Sequence, residues 1–347
     1  MKSTILLINN LIQLPATMPV ILTFLMEKIK GALGRKEQVI LFQNRRGFAP
    51  RLECEDCNWI PQCPNCDVSL VYHKNQNRLR CHVCGHSTHL IHKCQGCGSD
   101  KVRMKGFGTE KLEEDLSILL PEAKVKRLDL DTTRAKNAYE NIFQSFADQE
   151  IDILVGTQMV TKGLDFENVS VVGVLNADNM INFPDFRAFE RSFQMLVQVS
   201  GRAGRKEKRG KVIIQTFTPY HDVIQYVIRN DYQKMYDTQI LERRNFNYPP
   251  FYRLIKFQLR HKDYRELNDA AQDFAQLLRD RFGQRVLGPE YPMVAKMRGY
   301  FLKDILLKLE KGLSTPISRK EIMLAIELFN SGKQYKAIRI VIDVDPM

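Results

Sequence analysis

Apolar positions along this chain follow two rhythms. In residues 19–34, Val20, Phe24, Leu25, Ile29 and Leu33 recur at helical spacing and stop at Gly34, which predicts an amphipathic lead-in helix. Gln38 to Gln43 (QVILFQ) is a short apolar run closed by Asn44-Arg45-Arg46-Gly47, turn chemistry that ends a buried strand. After a cysteine-rich interruption the alternation resumes. Helices are predicted over Glu110–Leu120, Ala135–Ala147 and Arg187–Val199, and strands over Lys124–Leu130, Ile151–Val155, Val169–Leu175 and Lys211–Phe217. Apolar strands alternating with helices imply a parallel sheet covered on both faces. Tyr220 to Arg244 reads as one long, polar-faced helix closed by Tyr248-Pro249-Pro250. Beyond it, strands at Leu254–Arg260, Tyr300–Leu309 and Ala337–Val344, with helices at Arg265–Phe282 and Arg319–Asn330, predict a ferredoxin-like split βαβ domain.

At 347 residues the chain exceeds what one core organises, so two or three units are expected. Lys and Arg outnumber Asp and Glu by 52 to 40, for a net charge of +12. That balance suits a polyanionic partner, and equally an ordinary basic protein, because it is spread along the chain. No apolar stretch is long enough to span a bilayer, so no membrane is expected. Met1-Lys2 followed by Ile5-Leu6-Leu7-Ile8 imitates a signal peptide, but Asn9 and Asn10 interrupt it and no small-residue cleavage site follows. A cytoplasmic location is expected, which the thiols also favour.

All eight cysteines lie between Cys54 and Cys97 as four C-x-x-C pairs: Cys54/Cys57, Cys63/Cys66, Cys81/Cys84 and Cys94/Cys97. Zinc takes four soft ligands in a tetrahedron and each knuckle supplies two, so two closed four-thiolate Zn2+ sites are expected. Loop length argues for the pairing. Cys66 and Cys81 are separated by 14 residues, ribbon-like spacing, whereas Cys57 and Cys63 are separated by only 5. Knuckles two and three then form one site (Cys63, Cys66, Cys81, Cys84), and Cys54, Cys57, Cys94 and Cys97 form an outer one. A crossed pairing of knuckles one and three stays open. His73, His82, His86, His89 and His92 lie near enough to replace a thiolate, but eight thiols already suffice. Trp59, beside Ile60, with Tyr72, Lys74 and Arg78, fits either a small module's own core or a surface that stacks on a base or meets a partner protein. A thiol-redox role is the alternative use of the same cysteines.

Gly156-Thr157-Gln158-Met159-Val160-Thr161-Lys162-Gly163-Leu164-Asp165-Phe166 leaves a buried strand, and Gln198-Val199-Ser200-Gly201-Arg202-Ala203-Gly204-Arg205 follows. If the residues from Gln198 are helical, Gln198, Arg202 and Arg205 share a face, and two guanidiniums there suit a triphosphate. The ordered set, with NRRGFAP at 44–50, resembles the second RecA-like lobe of superfamily-two helicases. With the double-cysteine insertion directly after NRRGFAP, GFGTEKLEEDL at 106–116, DLDTT at 129–133, YPPF at 248–251 and RIVIDVDP at 339–346, it resembles the primosomal replication-restart helicase family over residues 36–347.

The resemblance implies an α/β, RecA-like parallel-sheet lobe with an inserted zinc module and a C-terminal α+β domain, serving an ATP-dependent 3′ to 5′ DNA helicase that restarts stalled forks and initiates primosome assembly. It implies ATP and Mg2+ between two motor lobes, with Arg202 and Arg205 as γ-phosphate sensors beside Gln198. Gly163 and Asp165 would link nucleotide binding to DNA contact, and Thr157 and Lys162 would touch DNA phosphates; loop capping is the plainer reading of the last two. Partners implied are forked or single-stranded DNA, primosome proteins and single-stranded-DNA-binding proteins. The expected division is a lead-in at 1–37, a remnant of a missing first lobe; the second lobe at 38–218; the zinc insertion at 54–97; and the C-terminal domain at 219–347. No G-x-x-x-x-G-K-[ST] and no D-E-x-H box occurs, so the chain alone is expected not to hydrolyse ATP. The competing reading is a non-enzymatic zinc module that binds single-stranded DNA and primosome proteins. The Lys296-Met297-Arg298-Gly299-Tyr300 segment fits a nucleic-acid contact or a solvated turn.

Overall fold

The computed structural model describes residues 4–9, 23–43, 51–64, 68–73, 77–81, 84–105, 109–129, 132–133, 137–157, 160, 166–203, 210–313 and 315–346. The chain opens with β1 (Thr4–Asn9), α1 (Thr23–Gly34) and β2 (Gln38–Gln43). The insertion carries β3 (Arg51–Cys54), β4 (Val71–His73), β5 (Arg78–Arg80), β6 (Ser87–His89) and β7 (Val102–Lys105). Then come α2 (Thr109–Leu119), β8 (Val125–Leu128), α3 (Ala138–Ala147), β9 (Ile153–Gly156), β10 (Val169–Leu175), α4 (Asp178–Ile181), α5 (Ala188–Ser200), β11 (Lys211–Thr216), α6 (Asp222–Arg229) and α7 (Tyr232–Asn245). The last unit comprises β12 (Tyr252–His261), α8 (Tyr264–Phe282), β13 (Val286–Glu290), β14 (Lys296–Met297), β15 (Tyr300–Glu310), α9 (Thr315–Ser331) and β16 (Arg339–Val344).

The first sheet has the order β1-β11-β10-β2-β9-β8, and every pair in it is parallel. Its central strands are apolar on both sides because both sides are covered. Val39, Leu41, Ile153, Val155, Val171 and Ile213 pack with Leu25 and Ile29 of α1 and Leu112 and Leu116 of α2. Their alternates Ile40, Phe42, Leu154, Val172, Val174, Val212 and Ile214 pack with Phe146, Phe193, Leu196, Val199, Val223 and Ile224. Leu25 and Ile29, fully buried, each contribute about 1.5–3 kcal/mol. Helix propensity differences are a few tenths per residue, so packing decides where α1 lies. Gly173 makes that close approach feasible: a Cβ there would meet Leu41 Cδ2 at 2.7 Å and both Leu25 Cδ atoms at 3.2 Å.

Three expectations need correction. Thr4–Asn9 is no stray lead-in; it is an edge strand in register with Lys211–Thr216, so residues assigned to a missing lobe complete this sheet. The single helix expected over 220–244 is two helices. Asn230 takes a left-handed φ of 53° and Asp231 caps α7 by accepting the Lys234 N–H at 3.0 Å; Asn tolerates that conformation and Asp is a good cap. Finally, Val223, Ile224, Val227 and Met235 belong to the first core, so α6 and α7 pack with the parallel sheet rather than the C-terminal domain.

The C-terminal unit runs β12-α8-β13-β15-α9-β16 with the strand order β13-β15-β12-β16, all neighbours antiparallel, which is the ferredoxin-like arrangement. Ile255, Phe257, Leu259, Ile305 and Leu307 bury one face of the sheet under α8 and α9. The 296–300 segment is a hairpin with Met297 opposite Tyr300; Arg298 and Gly299 have φ of 50° and 81°, as a tight primed turn demands. No helix among the described residues is long and apolar enough to cross a membrane.

Candidate functional site: cysteine clusters and the loops of the parallel sheet

The insertion leaves and rejoins the first unit through an antiparallel pair, Cys54 standing opposite Val102. Its four knuckles share one backbone hydrogen bond. The first cysteine of each donates its N–H to the carbonyl five residues on: Cys54 to Trp59 (2.9 Å), Cys63 to Val68 (2.9 Å), Cys81 to His86 (2.8 Å) and Cys94 to Ser99 (2.7 Å). In three of them the N–H of the fourth residue after that cysteine returns to its carbonyl, from Asn58 (2.9 Å), Gly85 (3.0 Å) and Gly98 (2.9 Å). These three residues have φ of 59°, 79° and 79°, a region that suits glycine and asparagine. A left-handed residue four places after Cys54, Cys81 and Cys94 is a signal that spacing of the cysteines alone misses.

The knuckles gather thiols into two clusters. Cys54, Cys57, Cys94 and Cys97 lie together, and so do Cys63, Cys81 and Cys84; the sulfurs in each cluster are within 4.8 Å of one another. Cys66 lies outside the described residues. Neither cluster includes a histidine among the described residues; the His73 side chain and His82 are not described. The sulfur separations are 3.7 Å for Cys54–Cys97, 3.4 Å for Cys57–Cys94 and 3.6 Å for Cys63–Cys84. A tetrahedral zinc with bonds of about 2.3 Å sets its sulfurs about 3.8 Å apart, so the geometry fits that ion. Backbone N–H groups point at the sulfurs as well: Gly96 to Cys94 at 3.3 Å and His86 to Cys84 at 3.4 Å.

Without an ion the outer cluster divides its charge unevenly. Burial pushes the Cys57 thiol up to about 12. For Cys94, burial opposes ionisation but is outweighed by the Cys97 N–H, the Cys57 thiol and the Gly96 N–H, and the group falls to about 7. A dication reverses that balance by drawing all four sulfurs into the thiolate form. Trp59 is half-buried and packs against the module's apolar cluster, with its ring 3.3 Å from where a Gly96 Cβ would stand, so it serves the module's core.

Two polar contacts among the described residues help to seat the module. Asn58 Nδ2 donates to the Phe217 carbonyl at 3.2 Å, at the exit of β11. Arg80 pairs with Glu290 of the C-terminal domain, whose side chain is 3% exposed. Glu290 Oε2 also lies 3.0 Å from where a Gly85 Cβ would stand, so the third knuckle rests on this carboxylate. Lys303 is next to it, 3.9 Å from the Tyr291 ring, and burial lowers its pKa while Glu290 opposes that shift.

The described residues of the two glycine-bearing segments, Thr157, Gln198 and Arg202, lie at different ends of the elements that carry them. Thr157 follows β9 at the carboxy edge, where ligands of open parallel sheets gather. Gly156 before it is tightly enclosed, a Cβ there falling 2.8 Å from the Leu128 carbonyl. Phe166, closing the same segment, is anchored between Phe143 (5.2 Å) and Phe146 (4.6 Å). α5 descends from the carboxy edge of β10 towards the start of β11, with exposed Gln198 in its last turn and half-buried Arg202 just beyond its end. The helix stops at Ser200, with Gly201 as its C-cap; Arg202 donates its N–H to Val199 in the turn that follows and Ala203 is buried. The continuous helix that would align Gln198, Arg202 and Arg205 is therefore not formed. Lys162, Gly163, Asp165 and Arg205 lie outside the described residues.

Three families match the chain in order. One described as the PriA DNA helicase Cys-rich region domain matches residues 63–88, the helicase conserved C-terminal domain matches 100–207, and the primosomal protein N C-terminal domain matches 244–347. The replication restart protein PriA of Bacillus subtilis is 40% identical over 93% of this chain and 40% of its own length. That of Haemophilus influenzae is 39% identical over 93% and 44%, and that of Treponema pallidum 36% identical over 94% and 49%. The chain spans less than half the length of these relatives. Among solved structures, the helicase domain of Pyrococcus furiosus Hef overlaps 59% of this chain and 27% of its own at 16% identity and a TM-score of 0.29, too slight a likeness to add to the topology above.

Proposed function

Because the chain belongs with the PriA replication restart proteins through its Cys-rich region, helicase C-terminal domain and C-terminal domain, we propose that it acts as the second motor lobe, zinc module and C-terminal domain of an ATP-dependent 3′ to 5′ DNA helicase that restarts stalled forks and initiates primosome assembly. The observation that carries this reading is the order of parts: two thiol clusters inserted after β2 of a parallel sheet that bears GTQMVTKGLDF and QVSGRAGR, followed by a ferredoxin-like unit.

In this reading Cys54, Cys57, Cys94 and Cys97 hold one Zn2+, and Cys63, Cys66, Cys81 and Cys84 the other; the ions brace the fold and do no chemistry. ATP and Mg2+ are held mainly by a first lobe carrying the phosphate-binding loop. Arg202 and Arg205, with Gln198 beside them, approach the γ-phosphate from this chain and stabilise its developing charge. Gly163 and Asp165 connect that site to DNA, and Thr157 and Lys162 touch its phosphates, so binding falls steeply as salt rises. Forked or single-stranded DNA is the substrate, primosome and single-stranded-DNA-binding proteins are partners, and the setting is cytoplasmic.

The test is DNA-stimulated ATPase of this chain alone and mixed with a separately expressed first motor lobe, with Arg205→Ala as control. Turnover is expected only in the mixture and is lost in the variant. Zinc and DNA binding with no turnover in the mixture would favour the second reading, a non-enzymatic binding module.

A further inference from the structure

The first turn of α5 is gripped by the C-terminal domain. Phe186, just ahead of the helix, stacks on Tyr248 with ring centroids 4.2 Å apart and planes 7° from parallel. Tyr248 is 1% exposed, and Lys308 of β15 caps its other side with Nζ 3.8 Å from the ring, while donating to the Phe246 carbonyl at 2.8 Å. Arg187 covers Phe186 from the opposite direction at 4.3 Å and donates to the Pro346 carbonyl, just past β16, at 2.8 Å. One turn along, Glu190 pairs with Arg243, which also donates to the Pro249 carbonyl at 3.1 Å. The result is a layered cation-ring-ring-cation stack, buried at Tyr248 and Lys308, half-buried at Phe186 and Arg187, and closed by contacts to both ends of the C-terminal domain.

α5 also carries Gln198 in its last turn and ends at Ser200, with Gly201 as its C-cap and Arg202 directly beyond. Phe193, Leu196 and Val199 fix its height over the sheet, but an apolar face allows sliding and tilting in its own plane. The stack removes that freedom at one end. Thirteen residues make a rod about 20 Å long, so a tilt of about 5° at the gripped end displaces the other by about 2 Å. Misplacement of about 1 Å in a catalytic constellation costs on the order of a hundredfold in rate.

We infer that Tyr248 is a positioning residue: clamped by Lys308 and stacked on Phe186, it lets the C-terminal domain set where Arg202, just beyond α5, stands. This rests on the reading of Arg202 as a nucleotide sensor for its purpose, but not for its geometry. The C-terminal domain is then part of the motor's alignment as well as an appendage to it.

Amide hydrogen exchange of the whole zinc-loaded chain tests this without nucleotide. The Gly201 and Arg202 amides, bonded to Val197 and Val199 at 3.0 Å each, are expected to exchange at least about tenfold faster in Tyr248→Leu and in Lys308→Met. Tyr248→Phe, which keeps the stack, should match the unmodified chain, and β2 and β10 should keep their protection in all variants. Unchanged exchange at Gly201 and Arg202, or acceleration by Tyr248→Phe equal to that by Tyr248→Leu, overturns the inference. Lys308→Met leaves both rings in place and decides the matter if Tyr248→Leu loosens the sheet as a whole. Failure of the ATPase mixture would strike the motor reading alone; unchanged exchange would strike the positioning role alone.

Discussion

Arg80 and Glu290 make an ion pair across 210 residues of sequence, joining the zinc module to the C-terminal domain. Glu290 is 3% exposed and Arg80 is 20% exposed at the side chain, and that asymmetry yields an ordering of two substitutions. Arg80→Met leaves a buried carboxylate answered by the Tyr291 N–H, at 3.0 Å from Oε1, and by nearby Lys303, a loss of about 3 kcal/mol, at the low end of what removing one partner of a buried ion pair costs. Glu290→Gln leaves a guanidinium that can turn to water and still meet an amide oxygen, so about 1–2 kcal/mol is expected. At a urea dependence of about 2 kcal/mol per molar, the first change moves the midpoint by about 1.5 M. Trp59 is the only tryptophan and sits in the module, so its emission follows the module while circular dichroism follows the helices. The two signals are fitted separately, because packed units need not unfold together. A double-mutant cycle isolates the pair. A coupling under about 0.5 kcal/mol, as between exposed charges, or a larger loss from Glu290→Gln than from Arg80→Met, would falsify the argument.

Cys54→Ser is expected to lower bound zinc from two ions per chain to one and leave the second cluster loaded, whereas Cys81→Ser does the converse; metal analysis of the purified variants, with each still binding two, would refute the division into clusters. Gly173→Ala forces a methyl against Leu41 and Leu25 and should destabilise the parallel sheet by about 1–3 kcal/mol, read as an earlier thermal transition; an unchanged transition would mean that α1 has room to move. The hydrogen bond from Arg285 holds the Glu310 carboxyl below its ordinary range. A depressed carboxylate contributes above its unfolded pKa and the contribution is lost as pH falls through its folded one. Glu310→Gln should flatten the acid side of the stability curve by no more than about 0.5 kcal/mol, since both groups are well exposed; a larger effect measured by urea titration across pH would contradict that bound.

What could be read from the sequence was what repeats locally. Runs such as QVILFQ and VSVVGVL announce buried strands because both of their faces are apolar, and the four C-x-x-C pairs announce clustered thiols because few other arrangements need them. Thr4–Asn9 was illegible because six mostly apolar residues behind Met1-Lys2 look alike as a signal core and as an edge strand; only its partner, more than 200 residues away, distinguishes them. The break between α6 and α7 was legible in principle, in Asn230-Asp231, but polar residues on an exposed helical face hid it. Arg80–Glu290 and Phe186–Tyr248 left no trace, since each depends on how whole units dock. The motif names Gln198 and Arg202, whereas the helix ends between them, at Ser200 with Gly201 as its cap.

The insertion enters and leaves through neighbouring strands, Arg51 lying opposite Lys105. To the parallel sheet, the intervening excursion behaves as a short turn while its outer thiol cluster is closed. Were the cluster to open, that turn would become a loop roughly five times longer, at an added closure entropy of about 1.4 kcal/mol. Such a penalty is small enough for the lobe to survive and large enough to register. The same geometry makes the segment a cassette. Replacing it by a tight turn between β3 and β7 should leave a helicase-type sheet that folds without metal, and grafting it across another antiparallel pair should carry both metal sites to a new host.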